Sequence, residues 1–243
     1  MAFVGGVVAT GLDLSVLTND KEFARMMHRN ADQMPFALAK TITQTAKEAQ
    51  TAELGAMKGA FDRPTAFTLG ATRIKPATKK DLRGEVAIKD RNAKGVAPNK
   101  TLAATITGGR RRRKRSEIAL AQFMGDREFI MPGESIRLNK SGDVPGKMMQ
   151  KIIAALGSNG GGYMGSKYIF AVKPGRRGGL TPGVWQRMKS GKVKPLLIFV
   201  RRSSHQKIFD FENVAEKAVN RRIYKNFAHN FRMAVNSKQN RKR

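Results

Sequence analysis

Cysteine is absent from the 243 residues. That excludes disulfides, thiolate metal sites and cysteine nucleophiles, and leaves no mark of an oxidising compartment. No apolar run of about eighteen residues or more occurs, so no transmembrane helix is expected. Acidic residues are scarce: 18 Asp plus Glu stand against 47 Lys plus Arg. Most of these carboxylates sit beside a Lys or Arg, which suits ion pairing better than acid–base catalysis. His28, His205 and His229 lie far apart, without HExxH-type spacing, so no metal site is expected. No GxxxxGK[ST] occurs, and Gly5-Gly6, Gly108-Gly109 and Gly160–Gly162 lack the strand-then-helix context of a phosphate-cradling loop. A nucleotide cofactor is therefore not expected, nor any other. Trp185 is the single tryptophan, and the aromatics fall at core spacings instead of alternating with arginine. Stacking platforms for single-stranded nucleic acid are not indicated. Helix-turn-helix, zinc-finger and RNA-recognition signatures are missing too.

What is present is cationic charge, a formal net +29. Residues 73 to 115 hold fifteen basic and three acidic side chains, and residues 201 to 243 hold twelve and three. The densest point is a Gly108-Gly109 hinge followed by Arg110, Arg111, Arg112, Arg113, Lys114 and Arg115. Neighbouring cations repel, so such a run is stable only in water or against an anionic surface. Arg176-Arg177-Gly178-Gly179 repeats the pairing of arginine with glycine on a smaller scale. These eight cations are the candidate contacts to nucleic acid or to an acidic partner. A protein so charged attracts nucleic acid, an anionic membrane face or acidic proteins, and contacts of this kind position a polyanion without reading its sequence.

The elements read as α+β: an antiparallel sheet flanked by a long N-terminal helix and a C-terminal helix. Residues 1–18 are expected to be a flexible apolar arm; they lack the basic n-region of a secretory leader. A short helix is expected from Asn19 or Asp20 to Asn30. A long one follows, capped by Asp32 with Pro35 in its first turn, ending near Gly59. Its stripe is Leu38, Ile42, Ala46, Ala49, Ala52 and Ala56, and Lys40, Thr43, Gln44, Lys47 and Gln50 lie on its polar face. Thr65 to Ile74 and Gly84 to Asp90 have strand composition, whereas 101–106 has no clear type. Ser116 is expected to cap a helix through Met124, and 147–156 a compact amphipathic one. Residues 157–162 form a Gly-rich flexible point inside a single domain spanning 19–236. Strands are expected at 168–173 and in a hairpin, 183–188 with 193–200, whose second arm is buried on both faces and begins at an edge at Pro195. The last helix is capped by Asp210, with Phe211, Val214, Ala218, Phe227, Phe231 and Val235 inward. A frayed basic tail is expected at 237–243.

Several of these stretches resemble the minor tail protein Z family of tailed bacteriophages and related tail-completion proteins. They are Met34-Pro-Phe-Ala-Leu-Ala-Lys-Thr-Ile-Thr-Gln-Thr-Ala-Lys47, the Arg110–Arg115 run, and Gln186-Arg187 followed by Gly191-Lys192 and Lys194-Pro195-Leu196. The terminal helix with its basic tail also fits. The resemblance implies a non-enzymatic virion protein assembled in the host cytoplasm. It would sit at the head–tail junction or the top of the tail, as a ring, commonly six-fold, around the DNA channel. Implied partners are further copies of the chain, portal, adaptor or other tail proteins, and packaged DNA held by non-specific contacts; no membrane is implied. Trp185, Gln186, Arg187, Phe3 and Val4 are the expected subunit contacts. The alternatives are a free, sequence-independent nucleic-acid-binding protein and, behind it, a nuclease lacking visible metal-site clusters.

Overall fold

The computed structural model describes residues 7–9, 21–93, 95–127, 129–157, 169–175, 179–201 and 204–241, with backbone alone at 7–9 and 241. The chain begins β1 (Val7–Ala9), α1 (Lys21–Arg29), α2 (Met34–Ala60), α3 (Ala66–Leu69), β2 (Thr72–Lys75), β3 (Gly84–Ile88) and α4 (Pro98–Thr107). It continues β4 (Gly109–Arg110), α5 (Arg115–Ala119), α6 (Ala121–Met124), β5 (Phe129–Pro132), α7 (Gly146–Leu156) and β6 (Ile169–Val172). Then come β7 (Gly183–Arg187), β8 (Val193–Val200), β9 (Ser204–His205) and α8 (Phe211–Arg241). The class is α+β with antiparallel sheets and long helices near both ends, as the composition of the segments indicated. Within the 19–236 span read as one domain, backbone contacts separate two compact units. One comprises the described residues of Met1–Thr107 and Lys207–Arg243, the other those of Gly108–Gln206.

The first unit is organised by α2 and α8, which run antiparallel. On α2, Ile42, Ala46, Ala49, Glu53 and Met57 are buried, while Leu38, Ala52 and Ala56 are only half-buried. The inward row therefore follows i, i+4 steps after Ala49, away from the alanines the sequence had suggested. Small residues let the backbones close up: a Cβ added to Gly84 of β3 would lie 2.5 Å from Cγ2 of Ile42. On α8 the inward residues include Phe211, Ala215, Phe227, Phe231 and Val235, with Val214 and Ala218 half-buried. Phe227 and Phe231 stack on each other and meet Phe23 of α1 edge-on. Neutral polar groups fix the register of the two helices. Asn226 Nδ2 donates to Thr45 Oγ1 and Glu48 Oε2, both at 3.0 Å, and Asn230 Nδ2 donates to Gln44 Oε1 at 3.0 Å.

Several local expectations change here. Asp32 does not cap α2; it lies in a 3₁₀ turn and accepts from Lys238 Nζ at 2.7 Å. That ion pair is in the region expected to fray, and α8 instead runs on through Arg241. Asp210 directly precedes α8, and Lys207 at 3.0 Å together with the Asn213 N–H holds its carboxyl below the ordinary value. Residues 7–9 of the expected free arm are strand, pairing Val7 with Val86 and Ala9 with Gly84 as one edge of the sheet β1-β3-β2. Phe3 and Val4 lie outside the described residues. Thr65–Ile74 is not one strand: the Thr65 hydroxyl accepts the Thr68 N–H at 3.1 Å and starts α3, leaving β2 to begin at Thr72. Residues 98–107 are helical, with Leu102, Ala104 and Ile106 inward.

The second unit is built on the sheet β5-β8-β7-β6, antiparallel throughout. The hairpin β7–β8 forms as expected, with Arg187 opposite Val193 and a bulge at Leu196 of β8, which is skipped between the pairs Val184–Leu197 and Trp185–Pro195. The β5–β8 ladder ends at Leu197, but the chain after β5 continues alongside, the Gly133 and Ser135 N–H groups bonding the Leu196 and Pro195 carbonyls at 2.9 and 3.3 Å. The Pro195 end is therefore covered on both sides and is not the edge that was expected. Leu196, Leu197 and Phe199 join Leu120, Phe123, Met124, Ile152 and Leu156 in the core. The expected helix from Ser116 to Met124 is two short ones, α5 and α6, broken at Leu120. Ser158 to Gly162, most of the expected flexible point, and Tyr168 fall outside the described residues.

Glu53 generates a stability prediction. Its side chain is fully buried among Ala49, Met57 and α8, and neither carboxyl oxygen has a hydrogen-bond partner among the described residues. Burial pushes its pKa up from 4.5 to about 8, and the Asp210 charge adds to it. The folded state thus holds a proton that the unfolded chain releases near pH 4.5. Stability from this site is fully present below that pH and falls as pH rises toward 8, by at most about 1.4 kcal/mol per pH unit. Glu53→Gln keeps the neutral form at every pH. Urea titrations followed by circular dichroism at pH 5 and pH 8 are expected to show a smaller pH difference for this variant than for the parent.

Candidate polyanion interface

The cationic run lies in the second unit and is mounted at both ends. Gly108 and Gly109 have φ of 75° and 90°, a left-handed backbone that glycine adopts without strain. They turn the chain into β4, where Arg110 pairs with Ser204 of β9. At the other end α5 begins at Arg115. Its start is secured by Glu117, whose Oε2 accepts the Lys114 N–H at 2.6 Å, so the anchoring group is an acid inside the first turn and not Ser116.

Glu117 is also why one of the six cations leaves the set. Its side chain is 1 % exposed and accepts both terminal nitrogens of Arg111, Nη1 to Oε2 at 2.8 Å, with the Ile130 N–H at 3.1 Å. The Arg111 guanidinium lies over the Phe129 ring, 4.2 Å from its centre. Burial alone would raise the Glu117 carboxyl; Arg111 and the N–H groups of Lys114 and Ile130 outweigh it and hold it below the ordinary value. A guanidinium with its fork filled by a carboxylate and its face on a ring has little left for a phosphate. Arg111 is therefore the anchor of the run, a correction to its place among the contacts.

Arg110, Arg112, Arg113, Lys114 and Arg115 are exposed. Lys114 Nζ lies 3.4 Å from Asp143 with both groups largely in solvent, an arrangement of small energy that a stronger anion can displace. Beside it opens a cleft of about 250 Å³ lined in part by Lys114, Ser116, Ile130 and Asp143. Arg176 and Arg177 lie outside the described residues. Trp185 is 9 % exposed, with its indole N–H donated to the Thr181 carbonyl at 2.9 Å. It packs within this unit and offers little surface to another subunit. Arg187 is exposed near the hairpin turn, over the Phe170 ring, and Gln186 is half-buried.

Sequence reasoning found the run but not its anchor. The spacing Lys114-x-x-Glu117 was the available signal, because a carboxylate at the third helical position reaches back to the N-cap N–H. Among the described residues no group of His, Asp and Glu is placed to hold a metal ion, and no helix is long and apolar enough to cross a membrane. No protein-family model, curated protein or solved structure matches this chain.

Glu117→Gln leaves the Arg111 guanidinium without its counter-ion, and is expected to cost about 3 kcal/mol or more, as breaking buried pairs does. Arg112→Gln is expected to cost less than about 0.5 kcal/mol. Urea unfolding read by the fluorescence of Trp185, the single tryptophan, reports on this unit and distinguishes the two. Because the Glu117 carboxyl is lowered, its support is present above pH 4.5 and is lost as the pH falls through the folded-state value; the Gln variant lacks that acid dependence.

Proposed function

We propose that this chain is a structural virion protein of a tailed bacteriophage, a tail-completion or neck component. In this reading it forms a ring with further copies at the head–tail junction or the top of the tail, around the DNA channel. The observation that carries the proposal is the mounting of the arginine run. A strand pair and a buried ion pair hold Arg112, Lys114 and Arg115 as a fixed outward strip instead of a loose tail. Fixed cations hold a polyanion without reading its sequence, which suits a genome segment confined in a channel. The stretches resembling the tail-completion proteins motivate the same reading. Met34–Lys47 opens the principal helix α2, and Gln186 to Leu196 is the tip of the β7–β8 hairpin. In the proposed ring, exposed Arg187 and Met188 at that tip are available for subunit contact.

A ring multiplies the charge of +29 by its copy number, so self-repulsion opposes assembly until an anion or an acidic partner is present. The purified chain is accordingly expected to be monomeric or weakly associated at low salt. Closed oligomers, with six copies as the first expectation, are predicted on addition of portal or tail partners, by mass photometry. A monomer under all these conditions that still binds duplex DNA would overturn the proposal in favour of a free nucleic-acid-binding protein.

A further inference from the structure

The arginine run draws attention in the sequence, but a second cationic surface lies on the first unit, on the outer side of α8. Lys217, Arg221 and Lys225 follow one another at four-residue steps and all are exposed, with exposed His229 next in the row and Arg222 beside it. At 1.5 Å per residue the three cations span about 12 Å of helix. Like charges at i, i+4 destabilise a helix by a few tenths of a kcal/mol per pair. None of Lys217, Arg221, Arg222 and Lys225 lies within salt-bridge distance of a carboxylate among the described residues. Glu212 and Glu216 are turned about 100° or more from Lys217 around the helix. Asp210, whose charge is felt by Lys217, is already bonded by Lys207.

The row borders a groove of about 560 Å³ between α8 and α2. Lys217, Arg221 and Arg222 line it from α8, and Glu48, Thr51 and Ala52 from α2. The one carboxylate there, Glu48, accepts from Gln44 and Asn226. Along α2 the exposed residues Lys40, Lys47, Thr51 and Lys58 fall within about 20° of one line; of these Thr51 lines the groove, while Lys40 and Lys47 line a neighbouring cavity with Ala77 to Lys79. The groove floor decides what kind of partner fits. It is made of Ala52, Val214 and Ala218, and no large exposed hydrophobic residue lines it. Small side chains on that floor let an extended partner lie against the cationic rim, and it is the rim charges that select the partner. A regular row of cations without a carboxylate partner among the described residues matches a regular row of anions.

We infer that the outer face of α8, with the adjoining α2 residues, is a nucleic-acid backbone-binding surface, separate from the Arg110–Arg115 run. Duplex DNA carries about one phosphate per strand for every 3.4 Å of its axis, so a row of about 12 Å is long enough to meet up to three phosphates, one for each cation. The inference names the surface by which the polyanion contact invoked under the proposed function would be made, and in that respect rests on that reading. It does not require ring formation.

The test uses the full chain and a mixed-sequence DNA duplex of about 24 base pairs, with affinity measured by anisotropy from roughly 50 to 200 mM salt. Lys217→Gln, Arg221→Gln and Lys225→Gln are combined in one variant; Arg112→Gln, Arg113→Gln and Arg115→Gln in another. For the first, the slope of log K against log salt is expected to fall by about 2.7, that is about 0.9 for each phosphate no longer neutralised. Affinity at the low-salt end is expected to drop about tenfold or more. Its thermal midpoint is expected to be equal or higher, because like-charge repulsion along the helix is removed. A parental slope in the α8 variant overturns the inference, whether or not the arginine-run variant loses affinity; so does a parent that binds an acidic protein but no duplex. As a second variant, Arg221→Glu alone is expected to weaken binding more than Arg221→Gln, and equal binding by the two counts against the surface. Loss of ring assembly with duplex binding intact contradicts the proposed function and leaves this inference standing.

Discussion

Mutual repulsion among cations is the constraint to which the rest of the structure answers. With 47 Lys plus Arg and only 18 Asp plus Glu, the chain cannot neutralise itself by pairing, and its buried polar sites avoid relying on exposed ion pairs. Where α2 meets α8, the cross-helix bonds come from the Asn226 and Asn230 amides to Thr, Gln and Glu side chains. Neutral donors carry a smaller desolvation penalty than buried charges would. Glu53, the carboxyl in the middle of that interface, is pushed up to about 8 and so is mostly protonated at neutral pH. The exception is Glu117, which is buried and ionised because Arg111 fills it. One carboxylate used in this way fixes the base of a run of six cations and leaves most of the others facing outward.

The large elements were legible because their signals are long or redundant. Both long helices, the β7–β8 hairpin and the compact helix α7 follow from periodicity and glycine. The inward row of α2 was misplaced beyond Ala49 because alanine is ambiguous between core and surface, and because a glutamate at position 53 reads as solvent-facing until its protonated state is known. The segment from Thr65 to Ile74 was misread because Thr65 serves as a cap, a role its β-branched composition hides. Residues 7–9 form an edge strand through backbone bonds to β3, which side-chain patterning in a short apolar stretch does not specify.

The candidate site was legible in location and not in detail. Six adjacent cations mark themselves, yet only the distance from Arg111 to Glu117 separates the anchor from the contacts. On α8 the basic outer face was visible in composition, whereas the groove beside it depends on which part of α2 lies alongside. The two cationic surfaces belong to different compact units, one mounted on a strand pair and the other on a 31-residue helix. Charge of this kind gives affinity for a polyanion without preference for its sequence. Under the proposed function, a protein that holds whichever genome end reaches it would need that property.

The most direct measurement is a cryo-electron microscopy map of a particle that contains this chain. The account predicts closed symmetric copies at the neck or tail top, with Arg112 to Arg115 or the Lys217–Lys225 row within contact distance of genome density. Copies absent from that region, or present with both cationic surfaces turned to solvent and far from nucleic acid, would contradict it.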